Sequence, residues 1–241
     1  MEYGLFFDIW MWIGLGGGIV ITVLLFATDF LRDNLNHSRF ADPVWLAWLG
    51  AVAYMFHNVE EYGIDFTGTH LNFVNVMTDL FGPSINQWAY LGCNIPFVWV
   101  TGPLMAYLCY KKKLYGFASS MAIFEMLNGL FHVGQGLNMG YNSGLVTGVI
   151  IFLPIAAWTI YTVYIQKHLK WPHFFITMAA GILYHVLLIV GCRLAVAGAI
   201  HGIAQGIYMV IDAAVYVGIL YFLNKGKRGT WQNLGSSAEA K

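Results

Sequence analysis

Apolar stretches about as long as a bilayer is thick recur along this chain, and they constrain its fold more than any other feature. A helix needs roughly 20 apolar residues to cross a membrane, where only helices and closed barrels satisfy their backbone polar groups. Charged residues make up 10% of the chain, whereas about 25% is usual in soluble domains. We therefore predict an all-α polytopic membrane protein, a seven-transmembrane-helix bundle with spans at residues 5–28, 43–63, 85–110, 114–138, 143–166, 173–197 and 199–223.

Lys and Arg are distributed unevenly among the connections, and their distribution predicts an orientation. The connections after the first, third, fifth and seventh spans carry Lys or Arg, and those after the second, fourth and sixth carry none. Because cytoplasmic loops are enriched in these residues, we expect the N-terminus outside and the C-terminus in the cytoplasm. Short connections predict one transmembrane domain over 1–223 and a cytoplasmic tail over 224–241. The net charge of zero gives no sign of a nucleic-acid partner.

Polar side chains share one face of the second span, in the run His57-Asn58-Val59-Glu60-Glu61. A helix turns by about 100° per residue, so His57, Glu60 and Glu61 lie together on its surface. A charged side chain at the centre of a membrane helix costs roughly 2.5–3.5 kcal/mol on insertion scales, and such residues usually mark functional sites. This run is therefore the first candidate for an active site.

The fourth span carries a second polar stripe, formed by Glu125, Asn128, His132 and Gln135. Lipid cannot solvate such faces, so we expect them to point into the bundle and towards one another. We expect catalytic roles for His57, Glu60, Glu61, Glu125, Asn128, His132 and Asp212. Further polar residues of spans three, four, six and seven are candidates for substrate binding, namely Asn94, Gln135, His185, Arg193, His201 and Gln205.

Two kinds of chemistry fit this set of residues. In the first, His57, Glu61, Glu125 and His132 bind a divalent metal, either Zn²⁺, which polarises a water, or iron, which suits oxidative chemistry. In the second there is no cofactor, and Glu61 or Glu125 donates a proton to an alkene or an epoxide. Aromatic side chains would then stabilise a carbocation through their ring faces.

The longest outer connection, residues 64–84, mixes acidic and apolar side chains. Such a pattern is typical of a half-buried helix that lies at the membrane interface. A lid over an active site is the alternative interpretation of this segment.

The polar runs also resemble a known family. His57-Asn58-Val59-Glu60-Glu61 resembles the motif of HXXEE-domain membrane proteins, and Asn128-Gly129-Leu130-Phe131-His132 resembles their second block, which continues through Tyr141 and 144–147 to Leu153-Pro154. The resemblance covers about 43–165 and implies a membrane protein with a polar or metal-type site at His57, Glu60, Glu61, Asn128 and His132. A weaker likeness concerns fungal membrane-bound terpene cyclases, because Glu60, Glu61 and Asp212 lie on the second and last helices.

These observations favour an intramembrane enzyme that acts on a lipophilic substrate, such as a membrane lipid or an isoprenoid-like molecule. A metal-free terpene cyclase or isomerase is one alternative. A proton-coupled transporter is another, because intramembrane His and Glu side chains also suit a proton relay. The expected partner is a lipid or a lipophilic small molecule, and the sequence does not determine an oligomeric state.

Overall fold

A computed structural model describes residues 4–36 and 38–232, and all of its regular elements are helical. The residues 233–241 of the predicted cytoplasmic tail lie outside the described part. The α-helices within the described ranges are α1 (Leu5–Ala27), α2 (Pro43–Tyr62), α3 (Asn72–Phe81), α4 (Gln87–Asn94), α5 (Gly102–Lys112), α6 (Ser120–Met139), α7 (Leu145–Thr147), α8 (Leu153–Ile160), α9 (Trp171–Val196) and α10 (Ile203–Lys225).

Several short helices join end to end through π-helical turns. Ile95–Thr101 connects α4 to α5, and Gly148–Phe152 connects α7 to α8, which continues into the π-helical Tyr161–Ile165. Pro96 and Pro154 lie in or beside two of these turns, where a missing N–H and a bulky ring disrupt the regular hydrogen bonds. The long helical segments follow the predicted spans to within a few residues.

Five helical segments of the described chain are long and apolar enough to cross a membrane, which supports the predicted membrane character. They are Leu5–Ala27, Gln87–Lys112, Leu145–Ile165, Trp171–Val196 and Ile203–Lys225. The remaining long helices, α2 and α6, are the two that carry the His57 and His132 runs. The prediction of an all-helical membrane protein is confirmed at this level, and the count of seven spans with an outer N-terminus stays a prediction.

Asp42 fixes the start of α2 and therefore the position of its polar face. Its Oδ1 accepts hydrogen bonds from the backbone N–H groups of Val44 (2.9 Å) and Trp45 (3.1 Å). Pro43 occupies the first helical position, where its missing N–H costs nothing. The helix runs without interruption to Tyr62, so the His57–Glu61 run lies in its last turns.

The helices pack around a central aromatic cluster. The helix α2 contacts α1, α5 and α6, while α10 contacts α4 and α9. Rings of Tyr54, Phe97, Phe124, Tyr184 and Tyr216 meet in the middle, with the centroids of Phe97 and Phe124 4.3 Å apart. Many apolar side chains point outward instead, such as Leu137 at 84% exposure and Phe222 at 74%, as expected for surfaces that face lipid.

The helix α3 packs against α2 and α9, and it lies within the segment predicted as interfacial. Its side chains Val74 and Met77 are buried against the bundle, while the side chains of its other face are more exposed. Leu71, with φ of 55°, precedes the helix, and Gly82, with φ of 75°, follows it. The amphipathic helix expected between 64 and 84 is therefore present.

Candidate metal centre

His57, Glu61 and His132 form a buried cluster where α2 meets α6. The Nε2 atoms of His57 and of His132 each lie 3.3 Å from the same oxygen, Oε1 of Glu61. One potential ligand atom from each residue lies within 4.8 Å of the other two. His57 and Glu61 are four residues apart on one helix, so both heads reach the same point, and His132 approaches from the facing helix.

The hydrogen bonds of His57 determine which of its ring nitrogens carries the proton. Its Nδ1 lies 2.7 Å from Thr147 Oγ1, and that hydroxyl donates to Glu60 Oε2 at 2.5 Å. Because a hydroxyl has one proton, Thr147 accepts from the Nδ1–H of His57. A neutral His57 therefore presents the lone pair of its Nε2 towards Glu61.

His132 is oriented by Asn142, so that its Nε2 atom also faces Glu61. Its Nδ1 lies 2.7 Å from Asn142 Oδ1, and the Asn142 amide nitrogen donates to the backbone oxygen of His132 at 3.0 Å. The second bond fixes the amide so that its oxygen, an acceptor only, faces the ring. The proton of a neutral His132 is therefore on Nδ1, and the Nε2 lone pair also faces Glu61.

When both imidazoles are neutral, three electron-rich atoms converge on one buried point. Two imidazole lone pairs beside a carboxylate oxygen repel one another unless a positive charge lies between them. His57 Nε2 makes no hydrogen bond with any described residue, which leaves it free to act as a ligand. Two histidines and one carboxylate, each histidine anchored through its other nitrogen, are a donor set suited to Zn²⁺ or non-haem iron, with open coordination positions.

Glu60 is not one of the three residues of this cluster, and it binds α7 and the loop before α7. Its carboxylate accepts hydrogen bonds from Tyr141 Oη (3.0 Å), from the N–H of Val146 (3.1 Å) and from the N–H of Thr147 (2.7 Å). Ser143 Oγ donates to the Glu60 backbone oxygen at 2.5 Å. Glu60 is therefore placed as a positioning residue, which acts on His57 through Thr147.

Gly144 covers the cluster from the loop side. A Cβ atom at this position would lie 2.4 Å from His132 Cε1 and 2.8 Å from His57 Cε1. The φ of Gly144 is 100°, which other residues rarely adopt. A glycine is thus required here both by its backbone conformation and by the close approach of two imidazole rings.

A cavity of about 70 Å³ adjoins the cluster, with Glu61 in its wall. It extends beneath α3 and between α4, α9 and α10, and most of its lining is apolar or aromatic. The lining side chains are Tyr54, Glu61, Tyr62, Phe73, Met77, Ile85, Ala89, Tyr90, Cys93, Asn94, Asn128, Leu188, Cys192 and Met209.

Three further predicted catalytic residues lie outside the cluster. Glu125 is fully buried, and neither of its oxygens has a hydrogen-bond partner among the described residues. It lies two helical turns before His132 on α6, roughly 10 Å along the axis. Asp212 on α10 is also buried with both oxygens unpaired within the described chain. Asn128 lines the cavity and donates to Tyr54 Oη at 3.3 Å.

The predicted substrate-binding residues of the last two spans are spread over the bundle. His185 is half-buried, and its Nδ1 lies 2.8 Å from the backbone oxygen of Gly181 in its own helix. Arg193 is exposed, with its guanidinium over the ring of Phe81 at 5.3 Å. His201 is exposed in the turn before α10. None of these three is brought to the His57 cluster.

The remaining candidates are amides with distinct environments. Asn94 lines the cavity and donates to Tyr62 Oη at 3.0 Å. Gln205 ties the start of α10 to the loop before α4, where its Oε1 accepts from the N–H of Asn86 at 3.0 Å. Gln135 is half-buried on α6, one turn beyond His132. Of these, Asn94 alone is part of the cavity lining.

The structure adds residues for which the sequence predicted no role. Asn142 orients His132, Thr147 orients His57, and Gly144 packs on both rings. Gly144 and Thr147 belong to the second block of the family motif, so the resemblance carried a signal for them. Asn142 had no such signal, because its role depends on how the loop folds back onto α6.

Comparison with known proteins supports the motif-based prediction. Residues 48–159 match the family model described as "Protein of unknown function with HXXEE motif". This range contains all three residues of the cluster and both residues that orient the imidazoles. Curated proteins and solved structures give no match, and the likeness to fungal terpene cyclases finds no support. The family to which residues 48–159 of this chain are similar is therefore the HXXEE family, as the motifs predicted.

Proposed function

We propose that this protein is an intramembrane, metal-dependent enzyme that acts on a lipophilic substrate at His57, Glu61 and His132. The observation that carries the proposal is the convergence of two Nε2 lone pairs and one carboxylate oxygen on a single buried point. A divalent cation balances this arrangement, and both imidazoles are held in the tautomer that binds metal. Glu125 is not needed to complete the donor set.

The residues around the centre would hold it ready for chemistry. Thr147 and Glu60 orient His57, Asn142 orients His132, and Gly144 allows the loop to close over both rings. Two histidines and one carboxylate leave coordination positions open, and a bound Zn²⁺ or iron would supply Lewis-acid or oxidative chemistry there. Burial of the cluster excludes bulk water, which strengthens its electrostatic interactions.

The cavity beneath α3 supports a lipophilic substrate. Its wall is mainly aromatic and aliphatic, and Glu61 belongs both to this wall and to the cluster. An apolar molecule in the cavity would thus place one of its atoms beside the centre. The helix α3, which contributes Phe73 and Met77, covers this space from one end of the bundle.

The arrangement in the membrane is part of the proposal. We propose that α2 and α6 cross the bilayer together with the five apolar segments, giving seven spans with the N-terminus outside and the C-terminus cytoplasmic. The support is the alternation of Lys and Arg among the connections and the length of α2 and α6, which is 20 residues each. In this orientation the centre lies in the outer half of the membrane.

Metal analysis of the purified protein tests the centre. We expect close to one equivalent of zinc or iron in the wild type and a loss of most of it in His57→Ala and in His132→Ala. His185→Ala is the matched control, because His185 is a half-buried intramembrane histidine whose Nδ1 contacts only its own helix. Glu125→Gln should also keep its metal.

The absence of metal binding would contradict the proposed metal centre. If folded wild-type protein binds neither zinc nor iron after incubation with each ion, the positive charge at the cluster is supplied by protons on the imidazoles. The site would then be one for acid/base chemistry.

Enzyme activity can be tested without a known substrate. Wild-type protein and Glu61→Gln are reconstituted with a total lipid extract, and the lipids are compared by mass spectrometry over time. We expect one class of lipophilic molecule to disappear only with the wild type. If metal-loaded wild-type protein changes no component, the proposal of an enzyme fails and a carrier function becomes the better account.

A further inference from the structure

Tyr62 and Asn94 form a hydrogen-bonded pair in the mainly apolar and aromatic wall of the cavity. Tyr62 follows Glu61 at the end of α2, and Asn94 ends α4 on the facing side. The two side chains are 2% and 3% exposed, and both line the cavity. Neither is needed to hold His57, Glu61 or His132 in place, so their role in the cavity calls for a separate explanation.

The orientation of the Asn94 amide follows from its hydrogen bonds. Its nitrogen Nδ2 donates to Tyr62 Oη and to the backbone oxygen of Tyr90, both at 3.0 Å. A backbone oxygen only accepts, so the nitrogen must be the atom that faces Tyr90. The carbonyl oxygen Oδ1 is left over, and no group in the described chain donates to it.

The Tyr62 hydroxyl, in contrast, is left with an unused hydrogen-bond donor. Because it accepts the hydrogen bond from Asn94 Nδ2, its own proton is available, and the hydroxyl forms no second hydrogen bond within residues 4–36 and 38–232. The pair therefore offers one donor, the Tyr62 O–H, and one acceptor, Asn94 Oδ1. Buried polar groups of native proteins normally find partners, so a ligand group that supplies both is expected.

A hydroxyl group is the simplest group that matches this pair, since it donates one hydrogen bond and accepts others. A hydrocarbon would leave the Tyr62 proton and Asn94 Oδ1 without partners in an apolar space. A carboxylate has no donor for Asn94 Oδ1 and would be repelled by the nearby Glu61. We propose that the substrate is a lipophilic alcohol whose hydroxyl binds Tyr62 and Asn94 while its apolar part fills the cavity beneath α3, an inference that rests on the proposed function.

Equilibrium binding of two matched probes tests this specificity. Tritiated dodecan-1-ol and tritiated dodecane, which differ by one hydroxyl, are bound to the protein in lipid nanodiscs, and binding to empty nanodiscs is subtracted. We expect the wild type to prefer the alcohol by about tenfold, corresponding to one well-placed polar contact pair. Tyr62→Phe and Asn94→Leu should bring this preference close to one while dodecane still binds.

Controls separate a loss of specificity from a loss of structure. Tyr161→Phe removes a hydroxyl from a tyrosine that is 48% exposed and outside the cavity, so it should keep the wild-type preference. Metal content is measured on the same preparations, and Tyr62→Phe should retain its metal. Equal affinity of the wild type for both probes, or a preference that survives in Tyr62→Phe and in Asn94→Leu, would overturn the inference.

The outcomes distinguish this inference from the proposed function. Protein that prefers the alcohol but holds no metal would keep the cavity specificity and contradict the metal centre. Protein that holds metal but shows no preference would keep the centre and contradict the alcohol.

Discussion

The Nδ1 atom of His57 lies 2.7 Å from the hydroxyl oxygen of Thr147, which is 90 residues away in the sequence. Because Thr147 donates its proton to Glu60, the contact fixes the tautomer of His57. It also separates the two glutamates of the motif into different roles. Glu60, three residues after His57, binds the helix α7, which carries Thr147. Glu61, four residues after His57, faces the Nε2 atoms.

Removal of the Thr147 hydroxyl should weaken metal binding without removing a ligand. We expect Thr147→Val, which has a similar shape, to lower the affinity for zinc by about 10–100-fold, as is typical when the partner of a metal-binding histidine is lost. Thr147→Ser keeps the hydroxyl and should remain within a few-fold of the wild type. Competition with a zinc chelator measures both affinities, and equal affinities of Thr147→Val and the wild type would contradict the proposed role.

Replacement of Glu60 should lower the stability of the fold. Glu60→Gln places an amide nitrogen where the carboxylate accepts from Tyr141, Val146 and Thr147. At least one buried donor then loses its acceptor, and we expect a loss of about 1–3 kcal/mol in the free energy of unfolding. Unfolding in detergent measures it, with Asp79→Asn as the control, because Asp79 is exposed on α3.

Gly144 lies so close to the two imidazoles that any side chain at this position should clash with them. A second glycine of positive φ, Gly140, separates this clash from backbone strain. Gly144→Ala should abolish metal binding, because its Cβ would lie 2.4 Å from His132 Cε1. Gly140 has a φ of 80° and nothing within 4 Å of an added Cβ. Gly140→Ala therefore imposes similar backbone strain without the clash, and it should keep its metal. Loss of metal in both variants would attribute the effect to backbone strain.

Asp65 should make the folded structure of residues 64–72 less stable at acid pH. Burial raises the pKa of this carboxyl, but hydrogen bonds from Thr67, Thr69 and Asn72 outweigh burial and hold the pKa below its usual value. A depressed pKa means that the carboxylate stabilises the fold above the unfolded-state pKa of about 3.9. This contribution is lost as the pH falls through the lower folded-state value.

Hydrogen exchange measures that loss. After correction for the intrinsic pH dependence of exchange, the amides of residues 64–72 should become less protected between about pH 5 and pH 3. Asp65→Asn should show little further change over this range, whereas Asp79→Asn should behave as the wild type. A wild-type segment with constant protection would contradict the role of Asp65.

The proposed orientation predicts a pattern of chemical labelling. His70 is exposed in the connection after α2, and Lys112 is exposed at the end of α5. With the N-terminus outside, a membrane-impermeant maleimide should modify His70→Cys in intact cells and Lys112→Cys only after permeabilisation. The reverse pattern would indicate the opposite orientation in the membrane. Labelling of both cysteine variants in intact cells would contradict the single span proposed between residues 70 and 112.

The sequence by itself determined the helices and identified His57, Glu61 and His132 as residues of one site. Long apolar stretches form helices because the membrane requires internal hydrogen bonds, and this constraint acts locally. The meeting of His57 with Glu61 is local too, because four residues bring two side chains to one face of a helix. The approach of His132 followed from the requirement that polar faces turn away from lipid, and the family motif supported it.

Only the tertiary structure decided which buried polar groups meet. Glu125 shares the polar stripe of α6 with His132, yet two turns of helix separate it from the cluster, and Arg193 turns outward onto Phe81. Periodicity gives the face of a helix but neither the depth at which two helices touch nor the path of a loop. The contacts of Thr147 and Asn142 depend on that path, because an irregular loop is positioned by long-range hydrogen bonds that no local pattern encodes.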